Sequence, residues 1–287
     1  MRTLLLSLAW AALFDCSRSR AEGAPAGAVV QWGNTHSGAG FSTGAVHIAG
    51  QVLTDAVALA EGGNYTLALR NDGTVAGWGW DYRGDVTGSI SGDPHFAEGL
   101  VRLQGQGQVL SNVAAIAAGR THSLALKRDG TVIGWGHLGV PAGLSNVVAI
   151  SAARAFRGPN LVLRNDGTVV QWATDVDAAV VPGLSNVTAI ASGAYHWLAV
   201  RRDGHVVEWP GGTSAPAEIP GLSNVVAVAA GDERLSMALR RDGTVAAWGG
   251  LFLRATVPAG LSNVVAIAAG DGLCLAITTN AAALKMR

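Results

Sequence analysis

Cysteine and charged residues are both scarce in this sequence. Of its 287 residues, 2 are cysteine and 14% are charged. Cys16 falls in a segment with the features of a leader, and Cys274 alone excludes an intrachain disulfide and a cysteine-based metal site. The 20 basic and 20 acidic residues cancel, so no strong field favours nucleic acid or an acidic membrane surface as a partner.

Long apolar runs are also missing, except at the start of the chain. One cation, Arg2, precedes an apolar run at residues 4–14, and small residues follow. This is the order of a secretory signal peptide, and the run is too short to span a bilayer. We predict a signal peptide over residues 1–26 and an exported protein, secreted or held in the periplasm or cell envelope, with no membrane insertion. Asp15 disfavours lipidation of Cys16.

Glycine, small apolar residues and tryptophan are abundant instead. The sequence has 39 glycines and 9 tryptophans, and 49% of it is hydrophobic. This composition is typical of short strands and tight turns rather than helices. An active site requires its residues once, so a repeated stretch serves architecture. A stretch of the type NVVAIAAG recurs, beginning at Asn112, Asn146, Asn186, Asn224 and Asn263, with a divergent copy at Asp55.

The repeat extends into a longer unit of four predicted strands. After NVVAIAAG come a variable turn, SLALKR, Asp-Gly, TVxxWG and a linker ending VPxGLS. Asp-Gly between two alternating strands is the strongest short hairpin signal. The last four Asp-Gly pairs lie 37 to 39 residues apart, a period that indicates a propeller or a solenoid. Four antiparallel strands form one propeller blade.

The two ends of the repeat region predict closure of a ring. Residues 28–33, AVVQWG, are the last half of a unit, and residues 263–278 are a first half. We therefore predict an all-β, closed β-propeller over residues 27–278 with six four-stranded blades, latched by strands from both termini. A seven-bladed ring is the alternative. Residues 80–110 are interpreted as a surface insertion and residues 279–287 as a C-terminal tail.

The pattern GLSNVVAIAAGxxHSLALxxDGTVxxWG resembles the repeats of the regulator-of-chromosome-condensation superfamily in their short bacterial form. The resemblance covers residues 28–278. Similar repeats occur in a secreted β-lactamase inhibitory propeller. The resemblance implies a propeller, usually of seven blades. Nuclear members of the family act as exchange factors for a small GTPase, a role for which an exported chain offers no partner.

The variable turns carry the candidate functional residues. Strand direction places the turn after NVVAIAAG and the turn after Trp-Gly on one face, opposite the Asp-Gly hairpins. We interpret aromatic, Arg and His residues in these turns as a surface that binds an unknown protein partner. Trp197 is the strongest candidate because it replaces the small serine of the repeat. The predicted set is Tyr65, Tyr82, Arg120, His122, Phe156, Arg157, Tyr195, His196, Trp197 and Glu233.

No motif predicts catalysis. The sequence lacks HExxH, GxSxG and P-loop patterns. His122 and His196 fill the same repeat position two units apart, which spaces them round the ring rather than pairing them for a metal. We predict a monomeric, non-catalytic binding module with no cofactor and no metal. The alternatives are a polysaccharide hydrolase or lyase using carboxylates such as Asp175, Asp232 and Asp271, and a structural fragment of a larger surface protein.

Overall fold

A computed structural model describes residues 27–31, 44–82, 84–88, 95–103, 107–137, 139–155, 158–173, 176–210, 215–232, 234–250, 256–270 and 274–279. The regular secondary structure in these ranges consists of β-strands alone, which confirms the predicted all-β class. Within the same ranges, no helix is long and apolar enough to cross a membrane. Four short strands lie near the start: β1 (Val30–Gln31), β2 (Gly44–Ala45), β3 (His47–Ile48) and β4 (Gln51–Val52).

Each of six repeat units begins with an antiparallel hairpin. Its first strand alternates bulky and small residues, which lets neighbouring units pack closely against it. The first strands are β5 (Ala56–Glu61), β9 (Val113–Ala118), β12 (Val147–Ser151), β16 (Val187–Ser192), β20 (Val225–Ala230) and β23 (Val264–Ala269). The second strands are β6 (Tyr65–Arg70), β10 (His122–Lys127), β13 (Asn160–Arg164), β17 (His196–Arg201), β21 (Ser236–Arg240) and β24 (Cys274–Thr278).

Third strands follow the Asp-Gly turn in the first five units. In the first turn, Asp72 Oδ1 accepts hydrogen bonds from Thr74 N at 2.8 Å and Thr74 Oγ1 at 2.6 Å. Gly73 has a φ of 81°, which glycine adopts without steric cost. The third strands are β7 (Val75–Asp81), β11 (Val132–Gly136), β14 (Val169–Ala173), β18 (Val206–Pro210) and β22 (Val245–Trp248). Fourth strands are β8 (His95–Leu100), β15 (Val176–Val180) and β19 (Ala217–Glu218).

An asparagine precedes five of the six first strands and bonds to the hairpin that follows it. Asn112 has a left-handed backbone with φ of 61°, a conformation that asparagine tolerates better than most residues. Its carbonyl accepts a hydrogen bond from Arg128 N at 3.0 Å. The later units repeat both features at Asn146, Asn186, Asn224 and Asn263.

The six first strands surround a cavity. Each packs against the first strand of the next unit, in the order β5, β9, β12, β16, β20 and β23. Leu59 of the first unit and Ala269 of the sixth both line this cavity, whose volume is about 60 Å³. Apolar clusters fill the spaces between neighbouring sheets; Trp172, for example, packs with Leu124 and Val162. Within the part of the chain that the structure describes, the sheets of these six units therefore radiate from an axis, as sheets do in a propeller.

The predicted latch between the two termini is corrected by the strand pairing. β1 pairs with β2, through Val30 with Ala45 and Gln31 with Gly44, and β24 pairs with β23. Val29 packs on the first sheet beside Trp78. The short β1 thus finds a strand partner and an apolar surface close by in sequence, which costs less loop entropy than reaching β24. Among the described residues, no strand pair joins the last sheet to the first, and a closed six-bladed ring is not shown.

Residues 80–110 also depart from the prediction of a surface insertion. β8 pairs with β7 over six residues, from Ala76 opposite Leu100 to Asp81 opposite His95. Val101 and Leu110 are buried in the core between the first two sheets. The insertion was predicted because this stretch lacks the repeat's Trp-Gly and Asp-Gly, but strand pairing requires neither. Its middle part is the fourth strand of the first sheet.

Candidate functional site

The turns between first and second strands meet on one face of the molecule. We call this the turn face, formed by residues 62–64, 119–121, 152–155, 193–195, 231–232 and 270. Backbone hydrogen bonds link neighbouring turns: Gly63 N to Gly119 O at 3.2 Å, Arg120 N to Ala153 O at 3.2 Å, Ala194 N to Gly231 O at 3.3 Å and Asp232 N to Gly270 O at 3.3 Å.

The opposite face carries the Asp-Gly hairpins. There the carbonyl of the hairpin glycine accepts a hydrogen bond from the next first strand, as between Val113 N and Gly73 O at 3.0 Å. The same bond joins Val264 N to Gly243 O at 3.0 Å. The variable turns and the repeated hairpins are therefore separated by the length of the strands, so variation on the turn face leaves the hairpins unchanged.

Four residues predicted to bind a partner are buried instead. The exposed fraction is 4% for Tyr65, 4% for His122, 0% for His196 and 2% for Trp197. We assigned these residues to turns, but they begin the second strands and lie between two sheets. The prediction was wrong for all four because the turns are shorter than the variable part of the repeat.

These buried residues fasten each unit to the next. Two consecutive residues of each unit make these contacts. Position 2 is the residue of the second strand that pairs with the repeat tryptophan, and position 1 is the residue that precedes position 2 in the sequence. Position 2 holds Thr66, Ser123, Asn160, Trp197 and Ser236. Four bonds join position 1 to position 2 of the next unit: Tyr65 Oη with Ser123 Oγ at 2.8 Å, His122 Nε2 with Asn160 Oδ1 at 2.7 Å, Trp197 Nε1 to Pro159 O at 3.0 Å and His196 Nε2 with Ser236 Oγ at 2.8 Å.

Burial disfavours the charged form of both His122 and His196. Asn160 Oδ1 accepts a hydrogen bond from Ala153 N at 2.9 Å, which identifies this atom as the amide oxygen. Because an amide oxygen can only accept, His122 Nε2 must carry the hydrogen of the bond between His122 and Asn160. Burial lowers the pKa of His122, although the bond to Asn160 opposes this shift. Burial likewise lowers the pKa of His196. Burial raises the pKa of the Tyr65 hydroxyl far above its usual value.

We expect acid to destabilise the fold through these histidines. In the unfolded chain both imidazoles protonate near pH 6.5, whereas burial lowers the pKa of both in the folded protein, which therefore binds fewer protons at that pH. The unfolded state therefore binds more protons below about pH 6.5, and stability falls as the pH decreases, by up to about 1.4 kcal/mol per pH unit for each imidazole. Urea unfolding at pH values from 7 to 5 measures this slope.

A double variant, His122→Gln with His196→Gln, should flatten that slope even if its overall stability is lower. His47 is exposed, so His47→Gln is the matched control and should leave the slope unchanged. An unaltered slope in the double variant would show that other groups cause the acid sensitivity. Carboxylates with lowered pKa values, such as Asp72 and Asp242, act at lower pH and stay outside this range.

Three of the predicted residues do lie at the surface. Tyr195 is 59% exposed and Tyr82 is 45% exposed, and Arg120 is exposed as well. The Tyr82 ring stacks on Trp80, with the ring centroids 6.0 Å apart. Phe156, Arg157 and Glu233 lie outside the described residues.

One ion pair spans the turn face beside the cavity. Arg154 Nε, in the turn after the third unit's first strand, lies 3.4 Å from Asp232 Oδ1 of the fifth unit. Hydrolysis of a glycosidic bond requires two opposed carboxyl groups, and Asp232 is instead paired with a cation; Asp175 and Asp271 lie outside the described residues. In the ranges that the structure covers, no group of three His, Cys, Asp or Glu residues could hold a metal ion.

Known proteins resemble this chain in its repeat and in its fold. The family model described as regulator of chromosome condensation (RCC1) repeat matches residues 113–137. The crystal structure of human WBSCR16 is similar with a TM-score of 0.64 and 18% identity, covering 84% of this chain and 76% of that chain. No curated protein sequence matches the chain.

Two further structures share the fold. Yeast RCC1 (Prp20), crystallised with Kap60, has a TM-score of 0.59 and 20% identity, covering 80% of this chain and 68% of that chain. The CRINKLY WD40 ectodomain of the Arabidopsis thaliana receptor kinase ACR4 has a TM-score of 0.55 and 20% identity, covering 77% of this chain and 74% of that chain.

The matched segment is one copy of the unit from which the whole described structure is built. Residues 113–137 hold the first strand β9, the second strand β10, the Asp-Gly turn and Trp135 in β11. The same hairpin register recurs in the other units. This chain therefore carries a regulator-of-chromosome-condensation (RCC1) repeat at residues 113–137 and shares the fold of the similar solved structures.

Proposed function

We propose that this protein is an exported, non-catalytic module that binds another protein through its turn face. The observation that carries the proposal is Tyr195. Its side chain is 59% exposed, while its neighbours on both sides, Ala194 and His196, are buried and fixed by hydrogen bonds to the next unit. A large aromatic side chain on a rigid backbone loses little conformational entropy when it binds.

Tyr82 follows β7 next to the turn at residues 62–64, where Asn64 O accepts a hydrogen bond from Trp80 N at 2.9 Å. Tyr82 thus supplies a second anchor beside the turn face. It is stacked on Trp80, and the adjacent Asp81 is buried and accepts a hydrogen bond from Thr87 Oγ1 at 3.1 Å. Arg120 is exposed beside a turn that is bonded to the third unit. Tyrosine and arginine are enriched among residues that dominate binding energy in protein interfaces.

The cavity at the axis favours a macromolecular partner over a small ligand. Its volume of about 60 Å³ suffices for a few water molecules, whereas ligand pockets enclose roughly 300–1,000 Å³. Arg154, which is paired with Asp232, and the exposed Glu61 are among the residues that line it. Polar groups at the centre with aromatic anchors further out suit a broad contact surface.

Structural relatives supply precedent for protein binding. The yeast RCC1 structure contains Kap60, and a second structure of the same yeast protein, Prp20p, is described with its binding properties to Gsp1p and histones. At 18–20% identity these structures share the fold with this chain, so they support the class of function without identifying the partner.

The proposal is tested by capture from secreted and envelope extracts, followed by affinity measurement on the captured protein. We expect Tyr195→Ala and Tyr82→Ala each to weaken binding by about 30-fold, the effect of losing an anchor worth about 2 kcal/mol. Val148 and Val180 are 40% and 48% exposed and lie outside the turn face, so Val148→Ala and Val180→Ala are matched controls that should bind normally. Loss of binding in the controls but not in the tyrosine variants would contradict the proposal.

A further inference from the structure

The outer edge of the last sheet exposes apolar side chains. Leu275 and Ile277 of β24 are 43% and 41% exposed, whereas the equivalent Leu124 and Leu126 of β10 are 0% and 2% exposed. In the first five units, a third strand pairs with the second strand; across the described residues, β24 pairs with β23 alone. Leu124 and Leu126 pack with Val132 of their own third strand and with the sheet of the next unit, so Leu275 and Ile277 are exposed both by an unpaired strand edge and by an uncovered sheet face. Natural proteins cover an unpaired edge because it promotes aggregation.

β24 enters its turn in the register of the other units. Thr279 N donates to Asn263 O at 3.1 Å, just as Arg128 N donates to Asn112 O at 3.0 Å. Cys274 pairs with Ala269 as Ser123 pairs with Ala118. Cys274 therefore occupies position 2 of the sixth unit.

The distance along the chain from position 2 to the repeat tryptophan is constant. It is 12 residues in each of the five complete units, from 66 to 78, 123 to 135, 160 to 172, 197 to 209 and 236 to 248. The same step from Cys274 reaches Met286. It also places Asn280 at the aspartate of the turn and Ala283 at the buried valine that begins each third strand.

We propose that residues 281–287 dock on this edge as the third strand of the sixth sheet, with Met286 opposite Cys274. Asn280 can replace the turn aspartate because its side-chain oxygen accepts the same local hydrogen bonds. Ala283 and Met286 supply apolar side chains at the two positions that face the core in other units. The inference concerns the sheet edge and is independent of the turn face.

The C-terminal segment has an advantage over β1 as the occupant. It continues directly from β24, so only a short turn has to be closed, whereas β1 is already paired with β2. One residue opposes docking: Ala281 replaces the turn glycine, which has φ of 80–83° in the five complete units, and alanine is strained there. We expect Ala281→Gly to strengthen docking.

Thiol pairing tests the register in the full chain, with Cys16→Ser leaving Cys274 as the native thiol. Directly opposed residues of antiparallel strands have Cα atoms about 4.5–5.5 Å apart, within the range of disulfides. Met286→Cys should form an intramolecular disulfide with Cys274 at least about 10-fold faster than Lys285→Cys, because successive strand side chains point to opposite faces. Adding Ala281→Gly should increase the rate further. Peptide mapping identifies the bond.

Trp32→Cys is the matched alternative, because residue 32 is the tryptophan of AVVQWG and would oppose Cys274 if the N-terminal segment completed the sheet. Faster bonding in this variant than in Met286→Cys would overturn the proposal in favour of the two-terminus latch. Disulfides between two molecules would overturn it in favour of a second copy on the edge. Equal rates for the variants at positions 285 and 286 would show that no strand forms there.

Discussion

Replacing Trp197 with alanine should destabilise the protein by about 3–5 kcal/mol, the usual cost of deleting a buried tryptophan side chain. Its indole is 2% exposed and packs with Leu161 and Trp209 between the third and fourth sheets. The substitution also removes the donor to Pro159 O. The variant would therefore have a cavity and an unpaired Pro159 carbonyl between the third and fourth sheets.

Urea unfolding measures this loss, with Tyr195→Ala as the control two residues away. Tyr195 is 59% exposed, and surface substitutions usually change stability by no more than about 0.5 kcal/mol. The pair separates two roles that the sequence merges: Trp197 should affect stability and Tyr195 binding. If Trp197→Ala unfolded at the same urea concentration as the parent but no longer bound its partner, the tryptophan would belong to the interface after all.

The strands were largely predictable because their signals are local and repeated. Alternating residues in NVVAIAAG, Asp-Gly turns and the regular period identify the hairpins without any knowledge of tertiary contacts. Five Asp-Gly pairs bend the chain as predicted, with the glycine at positive φ in each. Because the unit is repeated, a wrongly predicted strand boundary in one copy can be recognised by comparison with the other copies.

Burial of the candidate residues was not predictable from one unit read alone. Trp197 replaces a serine and looked too large for a buried position, but the preceding unit has Pro159 where two other units have histidine. The tryptophan therefore meets a backbone carbonyl instead of an imidazole. The contact depends on which residue position 1 of one unit presents to position 2 of the next, and one unit by itself does not contain that pair.

Ring closure is not shown among the described residues, for a different reason. The half-units at the two ends are complementary in sequence, but complementarity does not state which strand edge each segment pairs with. β1 has β2 and the first sheet within reach, and the pairing of such short segments is weakly specified by pattern. The pairing of residues 95–100 with β7 was unpredictable for the same reason. It depends on the free edge of β7 in the folded sheet, and no sequence motif marks it.

Gly193→Ala should cost about 2–3 kcal/mol, because overpacking at a rigid contact forces the backbone to shift. A Cβ atom at this position would lie 2.5 Å from Gly231 O and 2.8 Å from His196 Cε1. The carbonyl belongs to the next turn and is already bonded to Ala194 N, so it cannot move without opening the seam between the fourth and fifth units. Thermal or urea unfolding of the variant measures the cost.

Gly270→Ala is the matched control, since Gly270 fills the same repeat position at the end of the last first strand. Among the described residues, nothing lies within 4 Å of the Cβ atom it would gain, so this substitution should cost far less than Gly193→Ala. Reduced freedom of the unfolded chain offsets part of that cost. Equal costs at both glycines would mean that a neighbouring turn approaches Gly270 as Gly231 approaches Gly193. The ring would then close on the turn face in solution, and the comparison of two alanine variants would reveal a contact that the strand pairing leaves open.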